Sequence, residues 1–189
     1  DADANDTFYR YDPFGNLVET QDADGNIISN TYDIRGRKIA MSDPDMGDWT
    51  YTYNALGELV SQTDAKSQTS TMVYDLLGRM ISRVETEGSS TWLYDTAPNG
   101  IGKLYSETGP LGNTKTLSYD SLGRATNVNT TIESTSFDVA TSYDSLSRVE
   151  SITYPQSTKY PFGLTVDYAY TDVASDGADG FLKTVSNNV

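Results

Sequence analysis

The sequence predicts an all-β protein, a repetitive meander of antiparallel β-hairpins that forms a curled or spiralling sheet. A short turn signal, YDPFGN from Tyr11, returns as YDIRGR from Tyr32, 21 residues later. Apolar and polar residues alternate before each copy, for example at Met72 and Tyr74, and this period of two is that of a strand with one apolar face. No segment shows the apolar spacing of an amphipathic helix.

The turn signal occurs eight times, and its spacing organises the whole chain. Aligned on the first tyrosine, the units start at Tyr11, Tyr32, Tyr53, Tyr74, Tyr94, Tyr119, Tyr143 and Tyr170. The spacings are 21, 21, 21, 20, 25, 24 and 27 residues, because later units carry insertions such as YDTAPNGIGK and YTDVASDGADGF. Internal periodicity of this kind is the signature of a repeat architecture. We therefore interpret residues 1–189 as one repeat region, and we expect it to be an excerpt of a much larger protein.

One period contains two strands and two turns. After the glycine of each turn signal comes a second short run, such as NLVETQ or RMISRV, and a second turn signal such as DADGN or GPLGN follows it. Strands of about 5–6 residues and turns of about 4–5 residues add up to a period of about 20. The tyrosines of successive units then lie two strands apart, about 9–10 Å. We expect this tyrosine ladder (Tyr32, Tyr53, Tyr74, Tyr119 and Tyr143) to be buried on one face against Leu17, Leu59, Met80 and Leu104.

The aspartate that follows the tyrosine is interpreted as a turn cap and not as a catalytic acid. Unit three has Asn54 in place of the aspartate and Glu58 in place of the usual arginine. Asparagine keeps the oxygen that caps a turn but cannot act as a carboxylate. The joint replacement also predicts that the two side chains meet across the turn, as Asp33 would meet Arg37.

The glycine of the turn signal supplies the positive φ that such a turn requires. Ser147 stands in its place in unit seven, so we expect that one turn to be built differently. The residues assigned to this structural motif are Tyr11, Asp12, Gly15, Tyr32, Asp33, Gly36, Arg37, Tyr53, Asn54, Gly57, Tyr74, Asp75, Gly78, Arg79, Tyr94, Asp95, Tyr119, Asp120, Gly123, Arg124, Tyr143, Asp144 and Arg148.

Composition and charge exclude several function classes. The net charge of −14, from 13 basic and 27 acidic residues, repels phosphate backbones and anionic membranes, so nucleic acid is not expected as a partner. No apolar run approaches the roughly 18 residues of a transmembrane helix, and we expect no membrane insertion. The chain contains no cysteine and no histidine, which excludes disulfides, thiol catalysis and a Ser–His–Asp triad. We expect no enzymatic activity, no cofactor, no metal and no catalytic residue.

Three other functions stay open as weaker alternatives. A pair of carboxylates of the glycosidase type is possible because 27 acids give many chance pairs, and it would require acids clustered in a cleft. A calcium loop at DADGN would place Thr20 where an aspartate is needed if Gly25 takes the glycine position, so we do not expect a structural site. A sugar-binding surface would require Trp49 or Trp92 to be exposed beside polar groups.

The YDxxGR signal at a 21-residue period, with strands that end in YxYD, resembles the YD repeats of the Rhs family. These repeats occur in bacterial Rhs polymorphic toxins, in the B and C components of insecticidal toxin complexes and in the teneurins of animals. The resemblance covers Tyr9 to Val189 and includes the segments YDSLSRVESITYP from Tyr143 and GFLKTVSN from Gly180. It rests on eight linked copies of the motif, which makes it specific.

The resemblance implies a β-strip that spirals into a hollow shell, which in bacterial members encloses a toxic C-terminal polypeptide until delivery. The implied partners are the remaining YD repeats of the parent chain, the enclosed toxin and other toxin-complex subunits, and the implied location is secreted or at the cell surface. Family members cleave themselves through an aspartyl-protease-like motif; the nearest segment here, DPFGNL from Asp12, is interpreted as an ordinary turn. The alternative function is a carbohydrate-binding or adhesion module that uses exposed aromatic residues.

The first and last strands are expected to present unpaired backbone groups. We expect residues Thr7 to Tyr11 to form the second strand of a repeat whose first strand is missing, and Phe181 to Val189 to form the first strand of a repeat whose second strand is missing. We therefore expect the isolated chain to associate with itself, weakly at low salt because of its negative charge and more strongly as salt screens that charge.

Overall fold

The computed structural model describes residues 6–171 and 180–187, and it contains sixteen β-strands. The described residues form no helix, and therefore none that is long enough to span a membrane. The chain divides into two structural units, an N-terminal unit of residues 1–89 and a C-terminal unit of residues 90–189, each of which contains several of the numbered sequence repeats. The prediction of an all-β antiparallel meander is confirmed, because every strand within a unit pairs with its neighbour in chain order.

In the unit of residues 1–89, the connecting turns lie alternately at one end of the strands and at the opposite end. Each strand pairs antiparallel with the next. The YD signals join odd-numbered strands to even-numbered ones, so the four YD turns of this unit lie at the same end of the strands. We call this side of the sheet, where the strands end, the YD edge. The strands are β1 (Phe8–Tyr11), β2 (Leu17–Gln21), β3 (Ile27–Tyr32), β4 (Lys38–Asp43), β5 (Gly47–Tyr53), β6 (Leu59–Thr63), β7 (Thr69–Tyr74) and β8 (Met80–Glu85).

The unit of residues 90–189 repeats this arrangement with longer connections. Its strands also pair antiparallel in chain order. They are β9 (Gly88–Tyr94), which starts just before the division, β10 (Leu104–Thr108), β11 (Thr114–Tyr119), β12 (Ala125–Ile132), β13 (Thr135–Tyr143), β14 (Val149–Thr153), β15 (Thr165–Tyr170) and β16 (Leu182–Asn187). The insertion after Tyr170 lies largely outside the described residues, at positions 172–179.

A β-bulge accompanies the YD tyrosine in each hairpin. In the first hairpin Arg10 pairs with Glu19 but Tyr11 pairs with Leu17, so Val18 is an extra residue on β2. The same shift occurs at the YD tyrosine of the seven other hairpins, and the extra residue is again on the second strand, as Tyr105 is on β10. A bulge bends its strand and increases the local twist. The period of the sequence therefore repeats a bend as well as a turn.

Side chains in both units are mostly half-buried. Met72 and Ala97, each 6% exposed, are the buried apolar residues of the described chain. The tyrosine ladder, predicted to be buried, is half-buried, and Tyr11 is 58% exposed. That prediction is wrong in degree because the strands of each unit form a single sheet, and a deep core requires a second layer packed on the first.

Candidate functional site

The YD turn is a three-residue hairpin loop closed by backbone hydrogen bonds and by its own aspartate. In unit two the amide of Asp33 donates to the carbonyl of Arg37 (2.9 Å), and the amide of Gly36 donates to the carbonyl of Asp33 (3.0 Å). Oδ1 of Asp33 accepts from the amides of Arg35 (2.8 Å) and Arg37 (3.0 Å). Gly36 has a φ of 72°, as this type I turn with a left-handed fourth residue requires. The aspartate therefore caps two amides of the turn.

The second carboxylate oxygen of the aspartate binds the arginine four residues later, as the sequence predicts. Oδ2 of Asp33 lies 2.7 Å from Nε and 2.6 Å from Nη2 of Arg37. The hydrogen bond from Arg37, with the backbone amides, holds the pKa of Asp33 below its usual value. The Nε to Oδ2 distance is also 2.7 Å in the pairs Asp75 with Arg79, Asp120 with Arg124 and Asp144 with Arg148.

Units one and three keep this geometry without the aspartate–arginine pair. Asn54 caps the amides of Leu56 and Glu58 through Oδ1, and its Nδ2 donates to Oε2 of Glu58 (2.5 Å). In unit one Nδ2 of Asn16 donates to Oδ2 of Asp12 (2.8 Å). The hydrogen-bonding geometry is thus maintained while the charges change, which supports a structural role for the side chains.

The turn at Ser147 is built like the others, so the prediction of a different construction is wrong. The amide of Ser147 donates to the carbonyl of Asp144 (3.0 Å), and the amide of Asp144 donates to the carbonyl of Arg148 (2.9 Å). Ser147 takes a φ of 67°, inside the left-handed region that glycine occupies elsewhere. A non-glycine residue there costs about 1–2 kcal/mol, and the hydrogen bonds around Asp144 hold the conformation against that cost.

Unit five departs from the pattern because Gly102 follows Asp95 by seven positions instead of three. Asp95 itself adopts a positive φ of 67°, and its amide donates to the carbonyl of Lys103 (3.0 Å). Its Oδ1 accepts from the amide of Gly102 (2.5 Å). Tyr94 keeps its place at the end of β9. The aspartate therefore still anchors the turn across a longer insertion.

The hydroxyl of the YD tyrosine binds a carbonyl in the preceding unit, a contact that the sequence analysis missed. Tyr32 donates to the carbonyl of Leu17 (2.9 Å), fifteen residues earlier. Ladder pairing between β2 and β3 ends at Glu19 and Ser29, so the carbonyl of Leu17 lies beyond it. The equivalent bonds run from Tyr53 to Lys38, Tyr74 to Leu59, Tyr119 to Leu104, Tyr143 to Ala125 and Tyr170 to Val149. The choice of tyrosine over phenylalanine in every unit was the signal for this bond.

The arginine of one unit also lies over the tyrosine ring of the next. Cζ of Arg124 is 4.3 Å from the ring centroid of Tyr143, and Cζ of Arg148 is 4.3 Å from that of Tyr170. Cζ of Arg37 is 4.8 Å from the ring centroid of Tyr53. These are cation–π distances.

We call this arrangement the YD clamp: an aspartate holds an arginine, the arginine covers the next tyrosine, and that tyrosine binds the carbonyl after the arginine. Examples of the clamp are Asp33–Arg37–Tyr53, Asp120–Arg124–Tyr143 and Asp144–Arg148–Tyr170. Each clamp joins neighbouring units through polar side chains at the turn edge of the sheet. The polar groups of a clamp therefore hold their own turn and also bind the neighbouring repeat.

Acidic side chains line one cleft of the N-terminal unit, residues 1–89. The cleft is lined by Trp49, Asp64, Glu85 and Glu87, among others. Asp64 caps its own turn through the amides of Lys66 (2.9 Å) and Gln68 (2.8 Å), and Glu85 lies 2.6 Å from Arg83. Two of the three acids thus have structural partners. Among the residues described, no cluster of three acids is arranged to hold a metal ion.

The carboxylate of Asp12 is bound within an ordinary YD turn. Its Oδ1 accepts from the amides of Phe14 and Asn16, each at 2.9 Å, and its Oδ2 accepts from the Asn16 side chain. The hydrogen bond from Asn16 holds the pKa of Asp12 below its usual value. A carboxylate with a lowered pKa stays ionised near neutral pH, and it is therefore not suited to donate a proton as a general acid.

The two tryptophans are both half-buried, and they differ in their surroundings. Trp49 stacks on Tyr51 with ring centroids 6.5 Å apart and donates from Nε1 to the carbonyl of Met46 (3.2 Å). Trp92 lines a cleft of about 250 Å³ that also contains Asn113 and the ion pair of Glu107 with Lys115 (3.6 Å). Both tryptophans line polar clefts, Trp92 with amide, carboxylate and ammonium groups and Trp49 with amide and carboxylate groups, and neither is fully exposed as the sugar-binding expectation required.

Comparisons with known proteins show what the repeats and the fold are similar to. The RHS repeat family model matches residues 11–45 and 53–90. The crystal structure of TcdB2-TccC3-Cdc42 is similar over 89% of this chain, with a TM-score of 0.68 and 16% identity, and the match spans 10% of that chain. The Photorhabdus luminescens Tc holotoxin pore with a TccC3 variant matches 93% of this chain and 14% of that chain, with a TM-score of 0.47 and 14% identity. No curated protein sequence matches the chain. The first structure shows the fold, and this chain spans about a tenth of its length.

Proposed function

We propose that the chain is a non-enzymatic structural segment of a shell wall, and the match of residues 11–45 and 53–90 to the RHS repeat family model supports this proposal. The observation that carries the proposal is the YD clamp. The aspartate and arginine of the clamp bind each other within the turn. The tyrosine hydroxyl binds a carbonyl of the neighbouring repeat, and the arginine covers the tyrosine ring. A motif whose polar groups bind one another is suited to extending a sheet repeat by repeat.

The shell, in this proposal, encloses a toxic C-terminal polypeptide and helps to deliver it outside the producing cell. The fold shared with the TcdB2-TccC3-Cdc42 structure supports this role. The partners would be further YD repeats, the enclosed polypeptide and other toxin-complex subunits. Half-buried sheet faces suit a wall that contacts solvent and cargo, since each face keeps polar side chains.

Protease protection tests this proposal in the natural polypeptide that carries these repeats. We expect a segment C-terminal to the repeats to resist digestion under native conditions and to be cleaved quickly after unfolding in urea. The matched variant is Arg124→Ala, which removes the arginine of one clamp and should speed native digestion. Equal digestion rates for the native and unfolded states would contradict encapsulation.

The cleft at Trp92 favours carbohydrate binding as the second candidate function. An aromatic ring beside amide, carboxylate and ammonium groups can stack on a sugar face and bind its hydroxyls. Calorimetric titration with a panel of oligosaccharides tests this function. Binding that is lost in Trp92→Ala and retained in Trp49→Ala would support a sugar site, and no binding by the unmodified chain would exclude it for that panel.

A further inference from the structure

Five large apolar side chains project from the four YD turns of the N-terminal unit, residues 1–89. Their exposed fractions are 91% for Phe14, 105% for Ile34, 80% for Leu56, 102% for Leu76 and 74% for Leu77. They occupy the two central positions of the turns that join β1 to β2, β3 to β4, β5 to β6 and β7 to β8. We call these five residues the apolar ridge. Because the four turns lie at one edge, two strands or about 9–10 Å apart, the ridge extends over roughly 30 Å.

The turn itself does not require apolar residues at these positions. The central positions of a type I turn accept most residue types. The same chain places Ser121 and Ser145 where Ile34 and Leu76 stand, and it places Arg35 where Leu77 stands. Exposed apolar patches of several hundred Å² on a soluble protein mark interaction surfaces. The apolar residues of the ridge therefore point to a partner.

Charge makes the ridge compatible with a second copy of the same surface. The four YD turns of the N-terminal unit carry four acidic and three basic residues. The acidic residues are Asp12, Asp33, Glu58 and Asp75, and the basic residues are Arg35, Arg37 and Arg79. The three turns β2–β3, β4–β5 and β6–β7 at the opposite edge carry five acidic residues and one basic residue, Asp22, Asp24, Asp43, Asp45, Asp64 and Lys66. Two YD edges can therefore approach with little repulsion, whereas two opposite edges cannot.

A notch between the first two YD turns supplies the complementary shape. It has a volume of about 480 Å³, and Phe14 and Ile34 line it together with Tyr32 and neighbouring turn residues. The turn at Leu76 and Leu77, at the other end of the ridge, presents the apolar side chains that would enter it. In a two-fold symmetric contact each copy offers both parts, because residue i meets j while j meets i.

We propose that the apolar ridge is a self-association surface, on which two copies of the chain pack in antiparallel alignment with Leu77 of each copy in the Phe14–Ile34 notch of the other. Five exposed large apolar side chains present on the order of 700 Å², close to the roughly 800 Å² per partner of a standard interface. The contact uses the turns and leaves the backbone edges of β1 and β16 unused. It is independent of any cargo or sugar.

Sedimentation velocity over a range of protein concentrations tests the proposal. The triple variant Ile34→Ser, Leu76→Ser, Leu77→Arg introduces only residues that this chain already accepts at these turn positions. We expect it to weaken dimerisation by at least about tenfold, since three of the five ridge side chains are lost. The control is Leu111→Ser. Leu111 is a turn residue of the C-terminal unit, is 88% exposed and lies outside the ridge. It should dimerise like the unmodified chain.

Disulfide trapping tests the alignment, and the absence of native cysteine makes it specific. Phe14→Cys and Leu77→Cys are prepared as separate proteins, mixed and oxidised. We expect disulfides between the two different variants to outnumber those formed within either variant alone. An unmodified chain that stays monomeric at its highest soluble concentration would overturn the proposal. Dimerisation that survives in the triple variant would also overturn it, and would indicate pairing of strand edges instead.

Discussion

Removing the hydroxyl of Tyr74 isolates the bond that joins one unit to the next. The hydroxyl donates to the carbonyl of Leu59 at 2.9 Å, and pairing between β6 and β7 has ended by that carbonyl. In Tyr74→Phe the ring remains and only this hydrogen bond is lost. A hydrogen bond of this kind contributes about 0.5–1.5 kcal/mol. Because the site is half-buried, water can replace part of the lost bond, and we expect a loss of about 1 kcal/mol.

Urea unfolding followed by circular dichroism measures this loss as a lower midpoint at unchanged slope. The matched control is Tyr9→Phe, at a tyrosine that is 58% exposed on β1, and it should leave the midpoint unchanged. Tyr74→Ala should cost about 2–3 kcal/mol, less than the roughly 3–5 of a fully buried aromatic residue, because the ring is half-buried. If Tyr74→Phe unfolds at the same urea concentration as the unmodified chain, the hydroxyl does not join the units.

The pH dependence of stability gives a second measure of the same residue. Burial raises the pKa of Tyr74, and the nearby charge of Glu58 raises it further. The neutral hydroxyl is therefore favoured in the folded state. Its contribution is fully present below the unfolded pKa of about 10 and is lost as pH rises through the higher folded pKa. Tyr74→Phe should reduce the loss of stability in this alkaline range, and an unchanged alkaline dependence would contradict the assignment.

Three further predictions concern the clamp and its turn. A double-mutant cycle on Arg124→Gln and Tyr143→Leu should give a coupling of about 0.5–1 kcal/mol in urea unfolding, and additive effects would exclude the cation–π contact. Hydrogen bonds lower the pKa of Asp33 and Asp75, so the stability they contribute is present above the unfolded pKa and is lost as pH falls through the folded one. Replacing both by Asn should flatten acid unfolding between those pKa values, and an acid transition as steep as before would contradict this. Ser147→Gly should raise the free energy of unfolding by about 0.5–1 kcal/mol because φ is 67°, and a lower midpoint would show that the serine is not strained.

The turns and strands could be predicted from the sequence because they depend on neighbours in the chain. Asp33 and Arg37 are four residues apart, and one hairpin loop brings them together whatever lies around it. The replacement of both members of the pair in unit three, by Asn54 and Glu58, was enough to predict their contact. Alternation before each tyrosine likewise predicted the strands, since side-chain direction in a strand has a period of two.

Two errors came from applying a local rule without its surroundings. Ser147 was expected to change its turn, but the capping bonds of Asp144 hold the serine in the left-handed region. The tyrosine ladder was expected to be buried because its period matches an apolar face. Periodicity shows which side chains share a face, but it does not show whether a second layer covers that face.

The sequence by itself therefore determined the all-β class, the repeat, the hairpin turns and the aspartate–arginine pairing, because each follows from residues within one period. Only the tertiary structure decided which groups join one period to the next. The bond from Tyr53 to the carbonyl of Lys38 spans fifteen residues, and the cover of its ring by Arg37 spans sixteen. Both contacts depend on the register and the bulge of two paired hairpins. Register places a side chain over a particular carbonyl, and a short sequence pattern does not specify that placement.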